Sequence, residues 1–70
     1  MVDMQWVDSS NLEQVGYDEA KMELYVGFKG GETYVYQDVP QSIFDQLMTA
    51  PSKGSFLNRE VKNTYSFYKQ

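Results

Sequence analysis

The dipeptide Gly30-Gly31 constrains this chain most, because it separates two stretches patterned as strands. Before it, Met22, Leu24, Val26 and Phe28 recur at every second position; after it, Thr33-Tyr34-Val35-Tyr36 is wholly β-branched and aromatic. Glycine accepts the positive φ that two-residue hairpin turns demand, so the segment reads as a β-hairpin closing at Gly30-Gly31. Counting outward from a two-residue turn pairs Lys29 with Glu32, Phe28 with Thr33, Gly27 with Tyr34, Val26 with Val35, and Tyr25 with Tyr36. Opposed residues share a sheet face. This register predicts an aliphatic face of Leu24, Val26, Phe28 and Val35, and a second face of Tyr25, Tyr34 and Tyr36. A slip of one residue would exchange the two faces.

The hairpin is the middle of a longer pattern. Leu12 to Tyr17 reads as a preceding strand, joined to it by a polar turn at Asp18-Glu19-Ala20-Lys21. Helical spacing takes over after Val39-Pro40, since proline suits a first helical turn, and Val39, Ile43, Phe44, Leu47 and Met48 fall on one face. Pro51 ends that helix. Ser52 is a natural N-cap for a second, in which Phe56, Leu57, Val61 and Tyr65 recur at near-helical spacing. The tail Tyr65-Ser66-Phe67-Tyr68 fits either the end of that helix or a short strand. The expected fold is α+β: an antiparallel three-stranded β-meander followed by two helices packed on one face, in a single domain over residues 1–70.

A chain of 70 residues buries only about 60% of the surface its unfolded form exposes, so modest stability is expected unless it oligomerises. The chain contains no Cys and no His, which removes disulfides, thiolates and imidazoles together and leaves no expectation of a metal or cofactor. No apolar run reaches the roughly 20 residues of a membrane helix. Met1-Val2-Asp3-Met4 also lacks a basic region leading into an apolar core, so the expected location is cytoplasmic, with no membrane partner. The net charge of -4 is uneven: residues 1–50 hold nine acids and two bases, and residues 51–70 hold Lys53, Arg59, Lys62 and Lys69 against Glu60. An acidic first part argues against a broad nucleic-acid footprint and leaves a short basic contact near the C-terminus. Without His or Cys, and with no carboxylate pair marked out, the chain shows no catalytic constellation and reads as a non-enzyme.

Two features carry a functional reading beside a structural one. Tyrosines 25, 34 and 36 offer rings on which a base can stack, or a face covered by another segment or subunit. Ser52-Lys53-Gly54-Ser55 opens a helix with free amides, hydroxyls and a lysine that suit an anion, or simply caps the helix around a closely packed glycine. Likewise Ser9, Ser10 and Asn11 either contact a ligand or cap the first strand.

Together these residues resemble the KTSC domain, a small module found at the C-terminus of some lysyl-tRNA synthetases and as stand-alone bacterial and phage proteins. The resemblance runs from Val7 to Tyr68. It is carried by Ser9-Ser10-Asn11-Leu12, Gly16-Tyr17-Asp18, Leu24-x-Val26-x-Phe28, Tyr34-x-Tyr36, Val39-Pro40, Ser52-Lys53-Gly54-Ser55-Phe56-Leu57-Asn58 and Val61-Lys62. Pro51 before the serine is its main departure. The resemblance implies RNA binding by association with the synthetases; for an acidic stand-alone domain a smaller ligand fits better. The expected function is therefore a non-catalytic binding module for a small nucleotide or a short RNA element, for example a phage protein sequestering a signalling nucleotide. Tyr34 and Tyr36 or Tyr65 would stack, and Ser52, Lys53, Gly54, Ser55, Asn58 and Arg59 would hold phosphate. The alternative is a protein-interaction module, or a homo-oligomer, whose interface is the tyrosine face.

Overall fold

A computed structural model describes residues 2–70; Met1, part of the segment searched for a targeting signal, lies outside the described residues. Five strands form one antiparallel sheet in sequential order: β1 (Gln5–Trp6), β2 (Leu12–Asp18), β3 (Glu23–Phe28), β4 (Thr33–Tyr36) and β5 (Phe67–Lys69). Between β4 and β5 the chain forms α1 (Gln41–Thr49) and α2 (Lys53–Phe56), and α2 runs directly into a π-helical turn over Leu57–Val61. The α+β class is as expected, but the three-stranded meander is not: a strand is added at each edge. Both additions escape a periodicity argument for the same reason. They are two and three residues long, and every one of those residues is exposed, so neither has a buried face to impose alternation.

The hairpin corrects the expected register by one residue. Leu24 lies opposite Tyr36, Tyr25 opposite Val35, Val26 opposite Tyr34, and Gly27 opposite Thr33. The loop has three residues, Lys29, Gly30 and Gly31: the Gly31 amide donates to the Phe28 carbonyl (2.9 Å), and the Phe28 amide donates to the Glu32 carbonyl (2.7 Å). Gly31 alone of the two glycines has positive φ, +97°. This is a turn followed by a left-handed glycine, the next commonest solution after the two-residue turn. Its consequence is an exchange of faces. Tyr34 and Tyr36 join Leu24, Val26 and Phe28 on the side facing the helices, while Val35 faces away with Tyr25. Two tyrosine rings then reach the core side in place of one valine, and aromatic side chains bury more area than any other type.

Leu12, Val15, Leu24, Val26 and Tyr36 from the sheet and Val39, Leu47, Phe56, Leu57 and Val61 from the helical half make the core. A bulge in β2 between Leu12 and Gln14 lets both Leu12 and Val15 reach it. Ile43, Phe44 and Met48 pack beside Leu47, as the helical spacing predicts. Tyr17 stacks on Phe44 (centroids 5.4 Å apart) and donates its hydroxyl to the Val39 carbonyl, which ties the sheet to the start of α1. Pro40 occupies the N-cap of α1 rather than its first turn, and Ala50 follows the last turn just before Pro51. Met22 departs from the expected alternation: it lies in the β2–β3 turn, exposed, with φ of 55°.

The outer face of the sheet is not bare. The arm formed by Val2, Asp3 and Met4 crosses it at Gly16, where a side chain would meet Met4 Sδ at 2.7 Å and the Asp3 carbonyl at 2.8 Å. Gly16 is thus a seat for the arm. Val35 is fully buried on this face, with Tyr25 and Tyr68 directly opposite it on β3 and β5. Among the described residues no helix is long and apolar enough to cross a membrane.

Candidate functional site

The slipped register gathers aromatic rings at one end of the core side. Tyr34 on β4 stacks on Phe67 of β5, with centroids 4.9 Å apart and planes 10° apart, and meets Phe28 of β3 edge-on at 5.2 Å. Phe67 also lies 5.4 Å from the Tyr36 ring. These rings wall a pocket of about 340 Å³ that Leu57 and Lys62 close from the helical side and Glu32 borders at the hairpin. Phe67 is 47% exposed, so one ring of the stack still presents surface to solvent. Tyr36 is 1% exposed, and burial, followed by the neighbouring Tyr34, holds its hydroxyl above the usual phenol range. It serves as the inner wall of the pocket, not as an open stacking plate.

Charge at the mouth of the pocket is partly committed. Lys69 Nζ lies 2.7 Å from Glu32 Oε2 and 5.9 Å from the centre of the Tyr34 ring. Its ammonium is held above the ordinary lysine value, first by the hydrogen bond to Glu32 and then by that carboxylate's charge. Lys62 is exposed, and among the described residues its ammonium has no hydrogen-bond or ion-pair partner.

The expected site divides in two. Tyr34 and Tyr36 line the pocket, but Ser52, Lys53, Gly54, Ser55, Asn58, Arg59 and Tyr65 do not. The residues opening α2 are engaged locally instead. Ser52 Oγ accepts the Ser55 amide (3.4 Å) as the N-cap, and its hydroxyl meets Ser55 Oγ (3.1 Å). Lys53 Nζ donates to the Ala50 carbonyl (3.2 Å) at the end of α1. A side chain on Gly54 would lie 2.6 Å from Asn11 Oδ1, so the glycine admits the loop before β2 against the helix. That loop is self-capping: Ser9 Oγ accepts the amides of Asn11 and Leu12 and donates to Asn11 Oδ1. Arg59 pairs with exposed Glu60 and sits over Phe56; Asn58 is exposed; Tyr65 packs against the core. The Tyr25, Tyr34 and Tyr36 face does not assemble either, because Tyr25 lies on the opposite side of the sheet.

Phe28, Glu32, Leu57, Lys62 and Phe67 were not among the expected site residues. Phe28 and Phe67 become visible only with the correct register and the fifth strand. Lys62 follows from the π-helical turn, which no residue spacing in the sequence announces. A larger hollow of about 520 Å³ lies over the outer face, bordered by the N-terminal arm, Gln14, Asp18, Lys21, Tyr25, Thr33 and Gln70. Its lining has a single aromatic ring, Tyr25.

Comparison with known proteins gives one consistent result. Residues 8–65 match the family model of the KTSC domain. A protein of Tsukamurella paurometabola is 49% identical over 84% of this chain and 88% of its own length. The lysine–tRNA ligase of Nostoc punctiforme is 33% identical over 86% of this chain, which spans only 11% of that enzyme. The crystal structure of a KTSC domain protein from Yersinia pestis superposes with a TM-score of 0.94 at 32% identity, covering 100% of this chain and 99% of that one. The chain belongs to the KTSC domain family.

Proposed function

We propose that this domain is a non-catalytic binding module for a nucleotide-type ligand, whose base enters the pocket walled by Phe28, Tyr34, Tyr36 and Phe67. The observation that carries this reading is the stack of Tyr34 on half-exposed Phe67 above an open pocket. Its volume is within the roughly 300–1,000 Å³ range of small-molecule sites. Base–aromatic stacking tolerates any base, because every base has a π-face. Relatives named as lysine–tRNA ligases place this domain within proteins that handle an RNA, which supports a nucleotide-type ligand without choosing its size.

The test is a titration of ¹⁵N-labelled protein with a panel of nucleosides, nucleotides and short RNAs, alongside Phe67→Ala. Stacking on an aromatic side chain contributes about 1–3 kcal/mol per base, so the variant should bind at least fivefold more weakly. Shifts should centre on Phe28, Tyr34, Leu57 and Phe67. Shifts confined to the start of α2, or none with any probe, would refute the assignment.

A further inference from the structure

The second helix changes its hydrogen bonding where it borders the pocket. The Lys62 amide donates to the Leu57 carbonyl at 2.9 Å, a bond across five residues, and Leu57 and Lys62 are the two helical residues that line the pocket. On a regular α-helix each residue turns about 100°, so positions five apart point about 140° away from each other. A π-type turn brings such a pair onto one side. It therefore places an aliphatic floor and a cation on the same pocket, an arrangement that the roughly 140° separation of a regular α-helix works against. Single π turns inside helices recur at functional sites.

The charges around this pocket are few. Lys69 is occupied by Glu32, and Arg59 is paired with Glu60 and does not reach the pocket. Lys62 is the one basic residue in the lining, and Glu32 is the one acid. We propose that the pocket takes an aromatic ring bearing a single phosphate, with Lys62 as the phosphate contact, and gains nothing from further phosphates. This deepens the nucleotide-binding reading and rests on it. One phosphate is matched by the free ammonium of Lys62. Further phosphates would meet no second free cation in the lining, because Glu32 and Lys69 neutralise each other, and the volume of about 340 Å³ is at the lower end for a small-molecule site. A free nucleoside monophosphate and one unpaired nucleotide of a single-stranded RNA share this chemistry.

The experiment titrates wild type, Lys62→Ala and Lys62→Arg with ribonucleosides, their 5′-monophosphates, their 5′-triphosphates and a short single-stranded RNA. Lys62 is exposed, so neither variant should disturb the fold, and urea unfolding verifies that. A solvent-accessible charge pair contributes up to about 1 kcal/mol, so a monophosphate should bind more tightly than its nucleoside by up to about fivefold. That preference should vanish in Lys62→Ala and persist in Lys62→Arg, and triphosphates should bind no more tightly than monophosphates. If RNA exceeds the monophosphate, with the same dependence on Lys62, the phosphate comes from a strand; if not, from a free nucleotide. Equal binding of nucleoside and monophosphate, or an unchanged preference in Lys62→Ala, overturns this proposal and leaves base stacking intact. No binding of any probe removes both.

Discussion

Alanine at Gly30 and alanine at Gly31 should have opposite effects on stability, and their difference measures the hairpin register directly. In the three-residue loop only Gly31 has positive φ, at +97°. An L-residue forced into left-handed backbone costs about 1–2 kcal/mol, since Cβ crowds the following carbonyl. Replacing glycine also restricts the unfolded chain, which stabilises by about 0.4–1 kcal/mol where the native backbone is compatible. For Gly31→Ala the two terms oppose and leave a net loss of roughly 1 kcal/mol. For Gly30→Ala only the second operates, because the site lacks positive φ and a new Cβ there meets nothing within 4 Å.

The two variants should therefore differ by about 1–2 kcal/mol. In a domain of this size each kcal/mol moves the midpoint by roughly 4–8 °C, so thermal unfolding by circular dichroism resolves the difference easily. Urea unfolding with an unchanged m-value would show that neither substitution alters the compactness of either state. A two-residue type I′ turn requires positive φ at both central positions. In that turn both variants would lose stability by similar amounts. Equal losses would refute the three-residue loop, and with it the placement of Tyr34 and Tyr36 beside Phe28.

A double-mutant cycle and a pH series test the rest of the framework. Gly54→Ala should destabilise the wild type, because the new Cβ would lie 2.6 Å from Asn11 Oδ1; in an Asn11→Ala background it should become neutral or stabilising as the helical preference for alanine, up to about 1 kcal/mol, takes over. Additive effects in that double-mutant cycle would show that the loop before β2 does not press on α2. The contribution of Tyr36 to stability should be constant between neutral pH and about pH 10, the ordinary tyrosine pKa, and fall above it. Burial raises the Tyr36 hydroxyl in the fold, so the unfolded chain gives up its proton first and is favoured as pH rises; Lys69, raised by Glu32, acts in the same direction. Urea midpoints between neutral and strongly alkaline pH should show a shallower decline in Tyr36→Phe, and an unchanged decline would remove Tyr36 from that account.

The elements legible in the sequence are those whose signal is local. Gly30-Gly31 announces a hairpin, the spacing of Val39, Ile43, Leu47 and Met48 announces the face of α1, and Ser52 caps α2 as its position after Pro51 implies. The choice between two and three loop residues is not local. Each satisfies glycine chemistry, and what separates them is which set of side chains the helices cover. That outcome depends on Phe56, Leu57 and Val61, more than twenty residues beyond the turn. The π-helical turn is likewise invisible to spacing, so the sequence places Lys62 only within a basic C-terminal stretch and not beside Leu57.

These two non-local features are what the candidate site is made from. With a two-residue turn, Tyr34 would face the opposite side of the sheet from Phe28, and Phe67, which pairs with Tyr36, would be carried to that side with it, away from Leu57 and Lys62. With a regular α-helix, Lys62 would point away from Leu57 and the pocket would have no cation in its lining. The polar motifs at Ser9-Ser10-Asn11 and Ser52-Lys53-Gly54-Ser55, which attract attention in the sequence, are each bonded within themselves and lie against each other at Gly54. Their part is to fix the frame in which the second helix presents Leu57 and Lys62. Weakening that frame at Gly54 should therefore lower ligand affinity without touching any residue of the pocket.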